Sequence, residues 1–431
     1  MRFCMVTTYY PPYHFGGDAV FVRNLAQDLV HHGHQVEIVH CLDAFQAGSR
    51  KPRAATVQKM GVEKDAGVVV HRLHNPLGIL SPLITQQTGR PGLKSSALKE
   101  ILSRDFDVIN YHNISLIGGP GVLELGQAPV KLYTLHEHWL LCATHIFWKN
   151  GLERCEERTC TSCCLRSGIP PQLWRHSDLI QRSLRHVDLI LSPSAYTARQ
   201  HQESGITAPI RVLPTYVPPS SAPIAKPAQR PRFLFVGRVV ASKGLHWLVE
   251  QFSKLPQYDL DILGEGDLLL DLKHRYASSS SIHFHGSVEH DQVQKWYSGA
   301  TALILPSLAP EVFPLCILEA FASGTPAIVS RAGGSPEAVE ASGAGFVYSD
   351  ENTFHTAVTR LAEQPQVRNR LGRLASKAYR EHYTPAHYLD RYLSVVNEVL
   401  ESKAGGIIPA ESRSSGRVER SAERLSTPVK H

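Results

Sequence analysis

The sequence lacks a long apolar run: none of its 431 residues lie in a stretch approaching the ~20 apolar positions that a membrane-spanning helix requires. No secretory leader is expected from its first residues. Met1-Arg2-Phe3-Cys4-Met5-Val6 leads straight into Thr7-Thr8, without an apolar core or small-residue cleavage site, and reads as a first strand. A cytoplasmic protein is expected, with association at the inner face of a membrane left open. Dense basic runs are missing as well. Lys and Arg number 45 against 39 Asp and Glu, a net +6 spread along the chain, which predicts no nucleic-acid module. Eight cysteines are too few for a secreted disulfide scaffold of this length. Nor is there a dinucleotide loop, since Gly264-Glu265-Gly266 has no third glycine at the needed spacing.

What is present divides the chain in two. Its length is about two to three times the ~150 residues of a usual domain. Phe3–Val6, Val36–Val39, Val68–Leu73, Asp107–Tyr111, Val130–Leu135 and Leu189–Ser192 read as strands. After the first of them Val22, Leu25, Ala26, Leu29 and Val30 recur at helical spacing, and Gly33 stops the run. Such alternation predicts a parallel sheet with both faces covered. Seven prolines between Pro209 and Pro231 predict a stiff, extended linker. Strands then resume at Phe233–Val236, Tyr258–Leu263, Ile282–Phe284, Ala302–Leu305 and Ala327–Val329. The expected organisation is an α/β domain over 1–208, a linker over 209–231 and a second α/β domain over 232–384. A helix over 385–401 and a Ser-, Gly- and Arg-rich disordered tail over 402–431 complete it. Open α/β sheets bind ligands at the carboxyl ends of their strands, so a cleft between the two sheets is the expected site.

The densest chemistry lies at Glu311-Val-Phe-Pro-Leu-Cys-Ile-Leu-Glu319. Proline is favoured in the first turn of a helix, so a helix from Pro314 to Gly324 leaves Glu311 in the preceding loop and Glu319 within it. The helix N-terminus offers free N–H groups and a positive dipole end to a phosphate. Ionised carboxylates only accept hydrogen bonds and so suit sugar hydroxyls. Upstream, Gly237-Arg238 ends a strand and Lys243-Gly244 opens a helix. Two fixed cations there would hold a diphosphate, and stabilise the charge it gains on leaving, without a metal. Paired glutamates arise by chance and loop cations are commonly solvated; the four together point to a nucleotide-sugar site.

Gly237-Arg238 with Lys243-Gly244, Glu311-x7-Glu319, Ser323-Gly324-Thr325-Pro326 and Gly333-Gly334-x-x-Glu337 resemble the family-4 retaining glycosyltransferases. Pro11-Pro12-Tyr13-His14-Phe15-Gly16-Gly17 is similar to that family's N-terminal glycine loop. The resemblance runs from Met1 to about Glu401. It implies the GT-B architecture: α/β, two Rossmann-like domains facing a cleft, and a C-terminal helix crossing back to the N-terminal domain. It further implies that a sugar passes from a nucleoside-diphosphate-sugar donor to a hydroxyl of a carbohydrate or lipid-linked acceptor, with retention at the anomeric carbon and no cofactor for catalysis. Residue by residue, Arg238 and Lys243 resemble the diphosphate clamp, Glu319 the ribose-binding carboxylate and Glu311 the one near the donor sugar. Backbone N–H groups around Phe313, Pro314 and Leu315 would lie by the sugar and phosphate, although Pro314 has none to give. Gly16 and Gly17 would let main chain approach the phosphate or acceptor. His136, after the strand Val130–Leu135, matches a histidine placed close to the reacting sugar; His112 and His138 are further candidates.

Cys142-x12-Cys155-x4-Cys160-x2-Cys163 supplies enough thiols for a structural zinc or iron–sulfur site, with disulfides or free thiols as the alternatives and Cys164 left over. Acceptor contacts are expected from the irregular stretch Ala44–Ser103. There Ile79, Leu80, Leu83 and Ile84, near Arg90, Lys94 and Lys99, could touch a membrane surface. The rival readings are another GT-B enzyme, such as a nucleotide-sugar epimerase, and a catalytically silent nucleotide-sugar-binding subunit. A phosphorylase would need a pyridoxal lysine and a longer chain.

Overall fold

The computed structural model describes residues 1–49, 61–220 and 230–405. Among the described residues, ten strands lie in the first half: β1 (Arg2–Val6), β2 (Gln35–Cys41), β3 (Gly61–Asp65), β4 (Val68–Leu73), β5 (Val108–Tyr111), β6 (Val130–Thr134), β7 (Trp148–Lys149), β8 (Glu153–Arg154), β9 (Leu189–Ser192) and β10 (Ile210–Val212). Six lie in the second: β11 (Arg232–Val236), β12 (Asp259–Leu263), β13 (Ile282–Gly286), β14 (Ala302–Leu305), β15 (Ala327–Ser330) and β16 (Gly345–Tyr348). The first sheet runs β10-β9-β6-β5-β1-β2-β4-β3, parallel except for β3, which pairs antiparallel with β4 at the edge. The second runs β13-β12-β11-β14-β15-β16 and is parallel throughout. β7 and β8 form a separate two-stranded hairpin.

Central strands such as Phe233-Leu234-Phe235 and Ala302-Leu303-Ile304 are at most 1% exposed, because helices cover both faces. In each sheet the chain winds outward from a central strand and then reverses, leaving a switch point between β1 and β5 and another between β11 and β14. A crevice forms at such a point, beyond the carboxyl ends of the strands. The loops leaving β1, β5, β6, β11, β14 and β15 are the ones that carry the expected site residues.

The helix Pro385–Ala404 returns to the first sheet, three residues longer than expected. Thr384 caps it and Pro385 opens it, and Tyr388, Leu389, Tyr392, Val395 and Val396 enter the core that holds Phe3, Phe21 and Leu132. Asn110 donates to the Tyr392 hydroxyl at 3.2 Å. The proline-rich stretch is not linker throughout: its start, Ile210–Val212, pairs as an edge strand beside β9. Residues 221–229 and the tail beyond 405 lie outside the described residues. The stretch 44–103 is more regular than expected, with helices at Leu80–Thr88 and Ser95–Leu102. Side-chain bonding orders it. Buried Asp43 accepts from His74 Nδ1 (2.6 Å) and Asn75 N (2.9 Å), and Lys94 Nζ donates to Ser81 and Thr85. Lys94, only 3% exposed, is therefore unavailable to a membrane, while Ile79, Leu80 and Leu83 are exposed. No helix among the described residues is long and apolar enough to cross one.

Candidate active site

Beyond β11 the chain passes Gly237 and exposed Arg238, then makes a short turn at Ala241–Lys243. That turn is pinned to the exit of β14, since Leu308 N and Ala309 N both donate to Ser242 O, at 2.9 and 3.0 Å. The pinning brings Lys243 to Glu311. Lys243 Nζ donates to Glu311 Oε1 at 2.5 Å, and Ser307 Oγ donates to the same oxygen at 2.5 Å. The two ionic side chains are 20% and 17% exposed, so their pairing is sheltered without being sealed from solvent. Backbone bonding fixes Glu311 too: it bridges to Gly333, and Gly334 N donates to its carbonyl oxygen at 2.7 Å. Among the described residues no hydrogen bond or ion pair joins Arg238 to this group.

The expected helix runs Leu315–Ala322, with Pro314 at the N-cap rather than inside the first turn. Its backbone there is extended (ψ 118°) and gives no side-chain cap, so the N–H groups of Leu315 and Cys316 stay open at the positive end of the dipole. Glu319, mid-helix, accepts from Tyr297 Oη at 2.7 Å beside a small pocket that includes Val217, Ser220 and Val293. Burial, and then the Glu319 charge, push the Tyr297 phenol well above its usual range, so it stays a donor.

The first half supplies the opposite wall. Gly17 begins the helix Gly17–His31 and faces Leu315: a Cβ on Gly17 would lie 2.9 Å from Leu315 Cδ1. Asp18 follows in the first helical turn and accepts from Asn113 Nδ2 at 3.2 Å. His136, beyond β6, meets His112, beyond β5, with 2.9 Å between His112 Nδ1 and His136 Nε2 and ring centroids 5.2 Å apart. Burial lowers both pKa values, His136 to about 4, with the Asp18 carboxylate pulling the latter back up. Both rings are neutral at pH 7, one donating and the other accepting. His138 is fully buried, packed against Phe147 and Tyr196.

Thus Leu315, at the start of its helix, meets Gly17 of the first half; Lys243 and Glu311 pair on the Leu315 side, and Asp18, His112 and His136 lie on the Gly17 side. Sequence reasoning missed Ser307, Tyr297, Asp18 and Asn113. Asp18 alone left a signal, a carboxylate one position after the paired glycines.

Of the alternatives open for the cysteines, the structure shows free thiols. Cys142, Cys155, Cys160, Cys163 and Cys164 surround one small cavity as free thiols. Cys142 Sγ lies 3.2 Å from Thr144 Oγ1, Cys155 Sγ donates to Glu157 O and Cys163 Sγ accepts from Asn150 N. Among the described residues no three His, Cys, Asp or Glu side chains are placed to hold a metal ion. Spacing brought the thiols near one another without converging them on a point. Two Asp-x-Asp tripeptides do occur, Asp105-Phe106-Asp107 and Asp259-Leu260-Asp261. Neither faces the cleft: Asp107 accepts from Arg2 N, Asp259 pairs with Arg230, and Asp261 pairs with Arg232 and His285.

Two family models match the chain, Glycosyltransferase Family 4 over residues 15–221 and Glycosyl transferases group 1 over residues 230–364. D-inositol 3-phosphate glycosyltransferase of Arthrobacter sp. is 27% identical, over 90% of this chain and 92% of that one. Sulfoquinovosyl transferase SQD2 of Arabidopsis thaliana is 27% identical over 34% of this chain, and the match spans only 29% of that protein. Among solved structures, sucrose-phosphate synthase of Thermosynechococcus elongatus superposes with a TM-score of 0.70 at 18% identity, covering 93% of this chain and 99% of that one. HepE of Anabaena, solved with UDP and glucose, superposes with a TM-score of 0.63 at 15% identity, covering 92% and 100%. At such identities the structural likeness carries the fold alone. Two matched models that together span most of the chain, two doubly wound sheets and a returning C-terminal helix make this protein a member of the family-4 glycosyltransferases, with the GT-B fold.

Proposed function

We propose that the protein is a retaining, metal-independent glycosyltransferase that moves a sugar from a nucleoside-diphosphate donor to an acceptor hydroxyl in glycan or glycolipid assembly. The observation that carries this reading is the Lys243–Glu311 pair beside an uncapped helix start whose first residue, Leu315, closes on Gly17 of the other half. The UDP and glucose held by HepE support a nucleoside diphosphate as the leaving group.

The donor diphosphate lies between Lys243, Arg238 and the open N–H groups of Leu315 and Cys316. Lys243 spends one of its three donors on Glu311 and keeps two for phosphate oxygens. Glu319, turned by Tyr297, accepts from the ribose hydroxyls, and Glu311 accepts from the donor sugar. As the bond between the anomeric carbon and the phosphate oxygen breaks, its electron pair passes to the departing diphosphate. Fixed cations and helix N–H groups are already aimed at that growing charge. The acceptor oxygen bonds to the anomeric carbon on the face the phosphate leaves, and its proton passes to a departing phosphate oxygen. Neutral His136 holds a sugar hydroxyl and carries no charge through the step. The protein's contribution is positioning and electrostatics.

The test is release of nucleoside diphosphate from a panel of donor sugars, with a chelator present and with the product's anomeric configuration read by NMR. Lys243→Ala and Glu319→Ala are each expected to lower transfer by about 10²-fold or more, the scale of removing one preorganised transition-state partner. Full activity in both variants would sink the assignment. An inverted product would remove the retaining mechanism, and loss of activity with the chelator would remove metal independence.

A further inference from the structure

Gly333-Gly334-x-x-Glu337 is a motif to which the chemistry above gives no task. Glu337 lies in the helix Ser335–Ser342 of the second half, yet its carboxylate bonds to the first half. Oε2 accepts from Ala195 N at 2.8 Å and Oε1 from Tyr196 N at 2.6 Å. These are the first two N–H groups of the helix Ala195–Glu203, which leaves the carboxyl end of β9. The next, Thr197 N, donates to the Ser194 side chain at 3.1 Å. The open donors of that helix's first turn are thus satisfied, two of them from across the cleft. An anion there also meets the positive dipole end, and charge-assisted bonds to backbone are among the stronger polar contacts.

The glycines make the seat. A Cβ on Gly334 would lie 2.8 Å from Ser194 Oγ and 2.2 Å from the Val312 carbonyl oxygen. Gly334 N also holds the carbonyl of Glu311. The helix start of the first half therefore rests directly behind the segment that carries the donor-side carboxylate. We infer that Glu337 is a positioning residue: it clasps the two halves together and sets the separation between the Gly16-Gly17 loop and the helix start at Leu315. Opening the clasp lets the halves swing apart while the donor half keeps its own contacts. This is a hinge closure held at the helix start by the Glu337 carboxylate, with Thr197 Oγ1 donating to the Val312 carbonyl beside it.

Ala195 offers a clean way to break the clasp from the other side. It is the first helical residue, where proline is well tolerated, and Ser194 before it is already extended (φ −145°, ψ 154°) as a residue preceding proline must be. Ala195→Pro removes one donor and leaves the helix intact.

The experiment compares wild type, Ala195→Pro, Glu337→Ala and Glu337→Gln by small-angle scattering and by hydrogen exchange of peptides covering residues 194–198. UDP titration and the kcat and KM of transfer are measured alongside. Expected for Glu337→Ala are a larger radius of gyration, at least about ten-fold faster exchange at the helix start, a UDP Kd within about two-fold of wild type and a kcat about ten-fold lower. Glu337→Gln, which keeps one acceptor oxygen, falls between. Ala195→Pro with Glu337→Ala is no worse than Glu337→Ala alone, because both remove one interaction. Unchanged scattering and exchange in Glu337→Ala, even with a lower melting temperature, would overturn the clasp. The kinetic arm rests on the glycosyltransferase reading; scattering and exchange need no substrate. A wild type that transfers no sugar would sink that reading and leave the clasp to be judged on those two measurements.

Discussion

Glu311 and Glu319 are the same chemical group, and their neighbours give them different tasks. Glu311 is gripped by a cation and a hydroxyl on one oxygen, Lys243 and Ser307, which leaves its other oxygen for a ligand. Glu319 is held by one phenol, and burial keeps that phenol protonated. Tyr297→Phe preserves the packing, removes the donor and lets the carboxylate rotate. A hydrogen bond to a charged group contributes about 1.5–3 kcal/mol. UDP affinity is therefore expected to fall by about ten-fold or more, since 1.4 kcal/mol is one decade. Calorimetric titration with UDP reads this directly, and an unchanged Kd would show that Tyr297 does not orient the donor site. The sequence made the glutamate pair legible because both sit on one short segment. It hid Tyr297, which reaches Glu319 from another helix, 22 positions away. The cysteines failed in the opposite way. Their spacing was legible, but the sulfurs of Cys142, Cys155 and Cys163 turn to local partners, and spacing carries no information about side-chain direction.

At the scale of elements, the strands were the most legible part. Buried parallel strands are short, continuous apolar runs, and each run found in the sequence is a strand in the structure. Helix starts were less so. Pro314 stands one position outside its helix because its backbone stays extended, a choice that fixed φ does not decide. The paired glycines were read as room for main chain to approach a phosphate or acceptor. The structure shows that Leu315, on the facing helix, is also among the things that come close to Gly17. The size of a substituent at Gly17 then has a graded effect. An alanine methyl crowds Leu315 Cδ1 at 2.9 Å and merely touches Cγ at 3.9 Å, and the flexible end of a leucine can turn aside. A valine places two further carbons in the same gap and must push the two elements apart. Gly17→Ala is expected to transfer sugar at close to the wild-type rate. Gly17→Val should lose about ten-fold or more in kcat/KM, on the scale of a small misplacement of reacting groups. Binding of a nucleoside diphosphate such as UDP should be retained in both, because the proposed donor contacts lie on the other half. Equal rates for Ala and Val would mean that the approach to Leu315 does not limit closure.

For the whole molecule, the abundance of histidine becomes a statement about acid. The chain has 23, and several are buried without charge. Burial is the largest cause in each case. It lowers His40 and His138 to about 3 and His136 and His201 to about 4, and His112 falls well below its usual range. Arg72 beside His40 and Arg158 near His201 reinforce the effect, whereas Asp18 opposes it at His136. In the unfolded chain each of these rings titrates near 6.5. A folded pKa below the unfolded one means that, under acid, the unfolded state takes up protons the folded state refuses. Stability is therefore complete above about pH 6.5 and falls as pH drops toward 4, by up to about 1.4 kcal/mol per pH unit for each such histidine. Asp65, whose pKa is lowered chiefly by its hydrogen bonds from Arg23, loses its contribution at still lower pH and adds to the same trend. The sequence gives the number of histidines and no hint of which are enclosed, because enclosure is set by helices from distant segments packing over the strand ends. Urea unfolding at pH 7.5, 6.5, 5.5 and 4.5 should show a midpoint that is steady between the first two and falls steeply across the last two. A midpoint independent of pH over that range would mean that these rings are protonated in the folded protein, and with it would go the neutral His112–His136 pair on the cleft wall.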